Sequence, residues 1–582
     1  MIDWSNSRVI ALNNLAIREK VRVLDETEKR TFNFHVSYDV WEIDTGISIN
    51  GTYFQLVLHI VLDESFPLSL PKIYLSPKSY KDVGFIPHVD TSRFVCTFDS
   101  EISFPDTNNP IGVINECLKR AQKIISDGLT NTALDFEDEF KAYWDQKYQG
   151  EANAPIKILS LVETIMNYKD IKLLRLDRPV QSYKFILHGS DDTASRFKFF
   201  LNEQRIGFTE VETFYLESSF LIKKPPFLLR NVDAFRLYSV LNLEGQKQFR
   251  RFFNEKSSPK LVFTKKLYGE KECLLGWIHK PLRTNVKGFR KQKPFNVFSN
   301  KHFQLFDIVE RFSVDTLTFS RLERRTSGKE NIQQRCFLFA GLGSVGSNLL
   351  QLLNASSSYE LRLIDTEKLF LENIGRHFLG FESVGEYKAE ALKKRLQKNN
   401  PLQKVSSKND SIVNVVRSEV DYINGTDYIF VSIGKRNIDN WLCEALAEGI
   451  ITKPMFILWV EPYLCGGHCL FLHPQDPGFK KYFVDDFFKF NVIASSEYVK
   501  ESNQLFLRES GCQTTFVPYS IGGVRGFLSA IFPKILNIID SGDKVSKSIS
   551  WIGSTEEVKK LGIELSDVGK KYPSGDVIEK IL

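Results

Sequence analysis

The sequence predicts a multidomain protein of α/β and α+β class, and three observations support this. At 582 residues the chain is too long for a single hydrophobic core. Its first 150 residues read as a strand meander followed by helices, an α+β order. From residue 311 onward, short apolar strands alternate with amphipathic helices, the pattern of a doubly wound parallel sheet. The expected domains are 1–150, a central α/β linker domain over 151–310, and 311–582.

The elements follow in chain order. "NGTYFQLVLHIVL" alternates apolar and polar residues and is rich in β-formers, and "DESFPLSLPKIYL" is a proline-punctuated turn entering another strand. "NPIGVINECLKRAQKIISDGL" has helical periodicity, and "ALDFEDEFKAYWDQ" is a second helix. "QGEANAP" (Gln149 to Pro155) reads as a linker. The central segment alternates short strands and helices. It carries a basic, aromatic stretch, "HKPLRTNVKGFRKQKPF", in which no reactive constellation is evident. In the last domain, strands are expected near 336–340, 360–364, 427–433 and 455–460.

Composition narrows the function classes. Lys+Arg 77 against Asp+Glu 71 leaves +6, too weak a bias to argue for nucleic acid. The longest apolar stretches, such as "YFQLVLHIVL" and "YIFVSI", are of strand length, so no membrane partner is expected. The early acid in "MIDWSNSRVIALNNL" and its lack of an apolar core predict a cytoplasmic protein. Eight cysteines lie at 96, 117, 273, 336, 443, 465, 469 and 512, with no Cys-x-x-Cys pair. Cys465 and Cys469 flank His468, but two further ligands are not evident, so no structural metal site is expected. Each thiol is then a small buried residue or a nucleophile.

"CFLFAGLGSVGSNLLQLL" places Gly341, Gly343 and Gly346 between a strand and a helix. The glycines permit a tight turn and close backbone approach to phosphate, and the helix start supplies N–H donors. Asp365 ends the next strand, 19 residues after Gly346, where a carboxylate can accept ribose hydroxyls. To this point a dinucleotide site fits equally well. Downstream, "LIDTEKLFLENIGRHFLGFESVGEYKAEALKKRLQKNNP" sets Asp365, Glu367, Asn373, Arg376 and Lys388 in one run. Hydride transfer needs no Arg and Lys aimed at phosphates, whereas attack of a carboxylate on an α-phosphate does. This run, over roughly 315–545, resembles the ThiF-type Rossmann-like adenylation domain of ubiquitin-activating enzymes and their bacterial relatives. The resemblance implies that ATP with Mg2+ is bound, with Asp365 on the ribose, Asn373, Arg376 and Lys388 on the phosphates, and Glu367 of the acidic pair among the nucleotide-binding residues. It also implies a homodimer, with an arginine reaching across it. Arg321, Arg324 and Arg325 of "FSRLERR" are open for that role, with Arg321 taken as the first candidate. The family's metal-associated Asp has no clean match. "SIGKRN" stands in its place, with Asp427 and Asp439 on either side, so no metal ligand is assigned. In "ESGCQTTFVPYSIGGVRGF" the resemblance makes Cys512 the acyl acceptor, the alternative being a structural cysteine at a loop end.

Residues 20–145 resemble ubiquitin-conjugating enzymes in their order of meander strand, "FPLSLPKI", His-containing turn and "FVC". Cys96 falls at that family's nucleophile. His88-Val89-Asp90 stands where a His-Pro-Asn is usual, eight residues before the cysteine, so the oxyanion-stabilising asparagine is missing or replaced. Cys117 and Cys443 are expected in cores. Together the two modules resemble the fusion enzymes of CBASS anti-phage operons. The resemblance implies a transferase and ligase-like enzyme of ubiquitin-like conjugation. A polypeptide's free C-terminus, that of a cGAS-like nucleotidyltransferase, is adenylated with ATP, passed to Cys512, then to Cys96, then to a target-protein lysine. The readings left open are a sulfur-carrier adenylase, another ubiquitin-like conjugation system, and a catalytically dead scaffold.

Overall fold

The computed structural model describes residues 4–582 except 50, 131–135, 137–138, 163–170, 190–191, 220–224, 226, 256–258, 269–270, 280–283, 286–287, 289, 329–333, 357–359, 477–478, 480–489 and 509–514. The chain forms two compact units, residues 1–190 with 207–316, and residues 191–206 with 317–582.

The first unit opens with an antiparallel five-stranded sheet in simple sequence order, Lys20–Val23, Asp39–Ile49, Thr52–Leu62, Lys72–Leu75 and Phe94–Val95. The helix Pro110–Thr130 covers one face. Its Ile114, Cys117, Leu118, Ala121 and Ile125 recur at helical spacing and are buried against Ile43, Leu58, Ile60 and Ile73. Cys117 is thus a core residue, as its place on the apolar face predicts.

The rest of this unit is an eight-stranded mixed sheet. Its edge strands are Thr213–Ser219 and Phe208–Val211. Only Glu212 separates these two strands in the chain, so the sheet must curl until its edges approach each other. An aromatic cluster that includes Phe140, Trp144, Phe227, Phe249, Phe253, Trp277 and Phe298 fills one side. The strand Glu310–Thr316 lies within this sheet. It pairs antiparallel with Leu275–Ile278 and parallel with Ile156–Ser160. The alternation in "ERFSVDT" sends Phe312 and Val314 into an apolar cluster, so residues 311–316 complete the central sheet. The helix Asp192–Glu203, from the central segment, groups instead with the second unit.

Arg311 on that strand joins the segment Trp144–Glu151 to the sheet. Its side chain is fully buried, pairs with Glu151 at 2.6 Å, donates to the carbonyls of Trp144 and Gln146, and lies over the Trp144 and Tyr148 rings.

In the second unit, five parallel strands run in the order Val405–Lys408, Glu360–Ile364, Cys336–Ala340, Tyr428–Val431, Met455–Val460. Three antiparallel strands extend the sheet: Gly466–Leu472, Lys547–Ile552 and Val577–Ile581. Cys336–Ala340 is the first of these strands in the chain and lies between Glu360–Ile364 and Tyr428–Val431, so the order reverses at its carboxyl end. Such a reversal opens a crevice above the strand ends, where ligands of open α/β sheets bind. The helix Ile521–Ser541 corrects the reading that all apolar stretches are of strand length. It has 21 residues and is long and apolar enough to cross a bilayer. Its Val524, Phe527, Leu528, Ile531, Ile535 and Ile538 are buried in the main cluster of this unit.

Replacing Arg311 with Met leaves the Glu151 carboxylate buried without its partner. A loss of roughly 3–5 kcal/mol is expected, read as a lower denaturation midpoint, with partial recovery on adding Glu151→Gln.

Candidate functional site

The glycine loop at the switch point is held by contacts from two directions. Gly341 has φ +84°, and a Cβ there would press on the Ser432 and Ile433 backbone. A Cβ at Gly346 would collide with the Gly341 carbonyl and Ser432 Oγ, while Ser432 Oγ–H donates to that same carbonyl at 2.7 Å. No protein atom lies within 4 Å of a Cβ built on Gly343. Two of the three glycines are therefore required by the fold, and the third leaves the backbone open to a phosphate.

Leu342, inside the loop, has both backbone groups engaged by side chains from the following segment. Its N–H donates to Asp365 Oδ2 at 2.6 Å. Its carbonyl accepts from His377 Nε2 at 2.6 Å, the tautomer set by Leu379 N–H donating to His377 Nδ1 at 2.9 Å. Burial lowers the His377 imidazole to about 4, so the ring is neutral at physiological pH. The other Asp365 oxygen accepts from Glu367 N–H at 2.7 Å. Burial raises the Asp365 carboxyl, and these backbone donors oppose that rise. Each oxygen keeps lone-pair capacity for a ribose hydroxyl.

Glu367 pairs with Lys388 Nζ at 2.6 Å, and this bond holds its carboxyl below the ordinary value. Lys388 is 4% exposed and opens the helix Lys388–Asn399, with two further donors on its ammonium. Asn373 Oδ1 accepts from Phe370 N–H, closing a short 3-10 turn. Arg376 donates to the Val517 carbonyl at 3.3 Å and lies over the Tyr519 ring. Four residues unmarked in the sequence complete the frame. Tyr519 OH bonds Ser344 Oγ at 2.7 Å, and Arg525 Nε donates to Asn348 Oδ1 at 3.0 Å. Their only sequence signal is position, at the starts of the two helices flanking the loop. This donor set, a bare glycine loop at a helix start with a lysine and an arginine beside it and a carboxylate at the next strand end, fits the phosphates and ribose of a nucleotide.

The remaining candidates separate. Arg321, Arg324 and Arg325 are all exposed on the helix Phe319–Ser327. Asp427 accepts from Cys336 N–H at 2.7 Å, at the strand ends opposite the loop. Asp439 lies in the first turn of the helix Arg436–Ala447. Burial raises its carboxyl to about 7, and its Oδ1 has no hydrogen-bond partner. Among the described residues no cluster of three His, Cys, Asp or Glu side chains could hold a metal. His468 is turned to Glu461 at 2.7 Å and Ser550 at 2.9 Å, while Cys465 and Cys469 are buried. Cys512 lies outside the described residues.

Cys96 follows the strand Phe94–Val95 and is exposed. Its N–H donates to the His88 carbonyl at 2.9 Å, and Val89 bridges Val95, so the eight-residue spacing is a tight hairpin that sets His88 opposite the thiol. Asp90 Oδ1 accepts from Phe94 N–H and Ser92 Oγ, so this residue serves the turn. Partial burial, then the carboxylates of Glu139, Asp99 and Asp90, push the thiol above its ordinary value. A cleft of about 580 Å³, lined by Pro87, His88, Thr97, Lys119, Arg120 and Lys123 among others, opens beside the hairpin.

Comparison with known proteins assigns both regions. Residues 16–152 match the model of prokaryotic E2 family B, and residues 319–487 match that of the ThiF family. The chain fuses an E2-like domain to a ThiF domain. It is 22% identical over 421 residues to the ATP-dependent ubiquitin transferase-like protein Cap2 of Pseudomonas aeruginosa, covering 69% of this chain and 71% of that protein. A 97-residue stretch is 30% identical to the DNA damage tolerance protein RHC31 of Saccharomyces cerevisiae, of which it covers 28%. Among solved structures, the fusion is similar to PaaA (TM-score 0.31, 16% identity, 43% of this chain and 73% of that one). It is also similar to Escherichia coli MccB solved with ATP (TM-score 0.27, 16% identity, 40% of this chain and 62% of that one). The fusion thus spans less than two thirds of MccB, and likeness at these scores says nothing about substrate.

Two outcomes follow. Gly343→Ala leaves the melting midpoint unchanged but weakens nucleotide binding, whereas Gly346→Ala lowers the midpoint. Because the Cys96 thiol is raised, its thiolate is scarce at neutral pH. Alkylation of Cys96 by iodoacetamide, followed by mass spectrometry, should therefore accelerate about tenfold per pH unit from pH 7 to 9.

Proposed function

We propose that this protein activates the C-terminal carboxylate of a polypeptide with ATP and conjugates it, through two thioesters, to an amine. The observation that carries the reading is the presence on one chain of a phosphate-cradling loop at a ThiF-type switch point and an exposed hairpin thiol in an E2-like domain. The carboxylate attacks the α-phosphorus of ATP and pyrophosphate leaves. Arg376 and Lys388 offset the charge that builds on the phosphoryl oxygens, and Asp365 orients the ribose. Mg2+ enters with the nucleotide, held chiefly by phosphate and water. The Cys512 thiolate displaces AMP from the acyl adenylate, the Cys96 thiolate takes the acyl group from Cys512, and a target lysine takes it from Cys96.

The similarity to the ATP-dependent ubiquitin transferase-like protein Cap2 supports a conjugating transferase; a role in anti-phage defence, with a cGAS-like nucleotidyltransferase as the polypeptide, is part of this proposal. The working form in this proposal is a cytoplasmic homodimer, with Arg321 of one copy completing the phosphate site of the other.

Incubation with Mg-ATP and the cGAS-like nucleotidyltransferase should give adducts that reductant removes. Cys512→Ala abolishes them all, and Cys96→Ala leaves the one on Cys512. An adduct on Cys512 that is never passed on favours a sulfur-carrier adenylase, and no adduct at all favours a scaffold. Arg376→Ala should lower ATP–pyrophosphate exchange roughly 100-fold without lowering the melting midpoint.

A further inference from the structure

Resting on the acyl relay proposed above, we infer that Glu139 is the proton acceptor for the amine that attacks the Cys96 thioester, with His88 and Tyr143 as its positioning residues. The hairpin fixes His88 opposite Cys96 through the bond from Cys96 N–H to the His88 carbonyl. His88 holds φ +60°, a left-handed conformation that costs a residue with a Cβ and that its surroundings must enforce. One enforcing contact is the bond from His88 N–H to Tyr143 OH. Tyr143 OH in turn donates to Glu139 Oε2 at 3.2 Å, and the His88 ring reaches Glu139 Oε1 with Nδ1 at 3.4 Å. Both Glu139 oxygens are thus aimed by groups fixed to the thiol's own hairpin, while 43% of the side chain stays exposed to an incoming amine.

The other carboxylates near the thiol have local tasks. Asp90 holds the turn through Phe94 and Ser92, and Asp99 caps Glu101 N–H. The His88 contact holds the Glu139 carboxyl below its ordinary value, so it is ionised at neutral pH. The charged and titratable groups that meet at the site are Cys96, His88, Asp90, Asp99, Glu139 and Tyr143, with Glu116, Lys119, Arg120, Lys123 and Asp127 of the helix Pro110–Thr130 across the adjoining cleft. Glu139 takes a proton from the lysine ammonium, and the amine nitrogen so freed bonds to the thioester carbonyl carbon. The C–S bond then breaks, the Cys96 thiolate takes the nitrogen's second proton, and Glu139 gives the first to water. The raised thiol suits its part in this, because a basic thiolate takes the proton readily.

The test uses the full chain carrying Cys512→Ala, charged at Cys96 by exchange with a synthetic peptide–mercaptoethanesulfonate thioester. Discharge by free lysine and by hydroxylamine is followed by intact mass. Hydroxylamine is neutral at pH 7 and reacts without a base. Glu139→Gln should slow discharge by lysine roughly 100-fold at pH 7, leave hydroxylamine within about twofold, and recover toward the parent rate as pH rises and lysine loses its own proton. Glu139→Asp should regain part of the lysine rate, and Tyr143→Phe should show a smaller loss of the same selective kind. Equal slowing of both nucleophiles would make Glu139 a structural prop and overturn the inference, as would an unchanged lysine rate. Failure of Cys96 in the parent to accept the acyl group would overturn the two-thiol reading itself, and the inference with it.

Discussion

Two hydrogen bonds to one residue organise the second unit. Leu342 donates to Asp365 and accepts from His377, so the glycine loop has both faces of a peptide tied to the segment that follows the next strand. Unpaired, each buried group would cost about 1–3 kcal/mol. Paired, they fix where Gly343 is presented and where Arg376, the neighbour of His377, must stand. From there the bonds run on through Arg376 to Val517, Tyr519 to Ser344, and Arg525 to Asn348. The phosphate loop, the basic residues beside it and the start of the helix Ile521–Ser541 therefore share one frame. A charge-stabilising site needs such a frame, because donors already fixed in place need no reorganisation when negative charge develops.

The E2-like domain solves a different problem. In the proposed relay a thioester must persist until the correct amine arrives, and then react quickly. An exposed thiol whose ionisation is opposed by partial burial and three carboxylates is a poor indiscriminate nucleophile at neutral pH. One of the three, Glu139, is in the proposed aminolysis the place for the amine's proton. The hairpin makes this compatible with stability. Asp90 is engaged by the turn and Val89 and Val95 by the core, while Cys96, His88 and Glu139 remain at least partly exposed.

Much of this was legible in the sequence because short-range patterns carry it. The apolar strands Cys336–Ala340, Glu360–Ile364 and Met455–Val460 lie where their runs placed them, and the glycine spacing located the crevice. The order of turn, histidine and "FVC" located Cys96. What the sequence did not show depends on distant residues meeting. Nothing in "ERFSVDT" says that Arg311 buries its guanidinium against Glu151, 160 positions away, and so draws that strand into the central sheet. Nothing marks Asn348 or Arg525 before the two helices are brought together. The eight-residue spacing from His88 to Cys96 departs from the family, and only the folded hairpin shows that it makes the two residues cross-strand partners. An apolar helix after Cys512 is legible, but its full 21-residue extent, Ile521–Ser541, is not, because "GGVRG" at its start breaks the apolar run.

The account rests on an acyl group that moves from a sulfur in the ThiF domain to a sulfur in the E2-like domain. The most direct measurement is a pulse-chase. The chain is charged briefly with Mg-ATP and labelled cGAS-like nucleotidyltransferase, the ATP is removed, and the labelled cysteine is mapped over time. The account predicts label on Cys512 first, followed by its loss there at the rate of its gain on Cys96. Label reaching Cys96 at an undiminished rate in Cys512→Ser, or remaining on Cys512 throughout the chase, would contradict it.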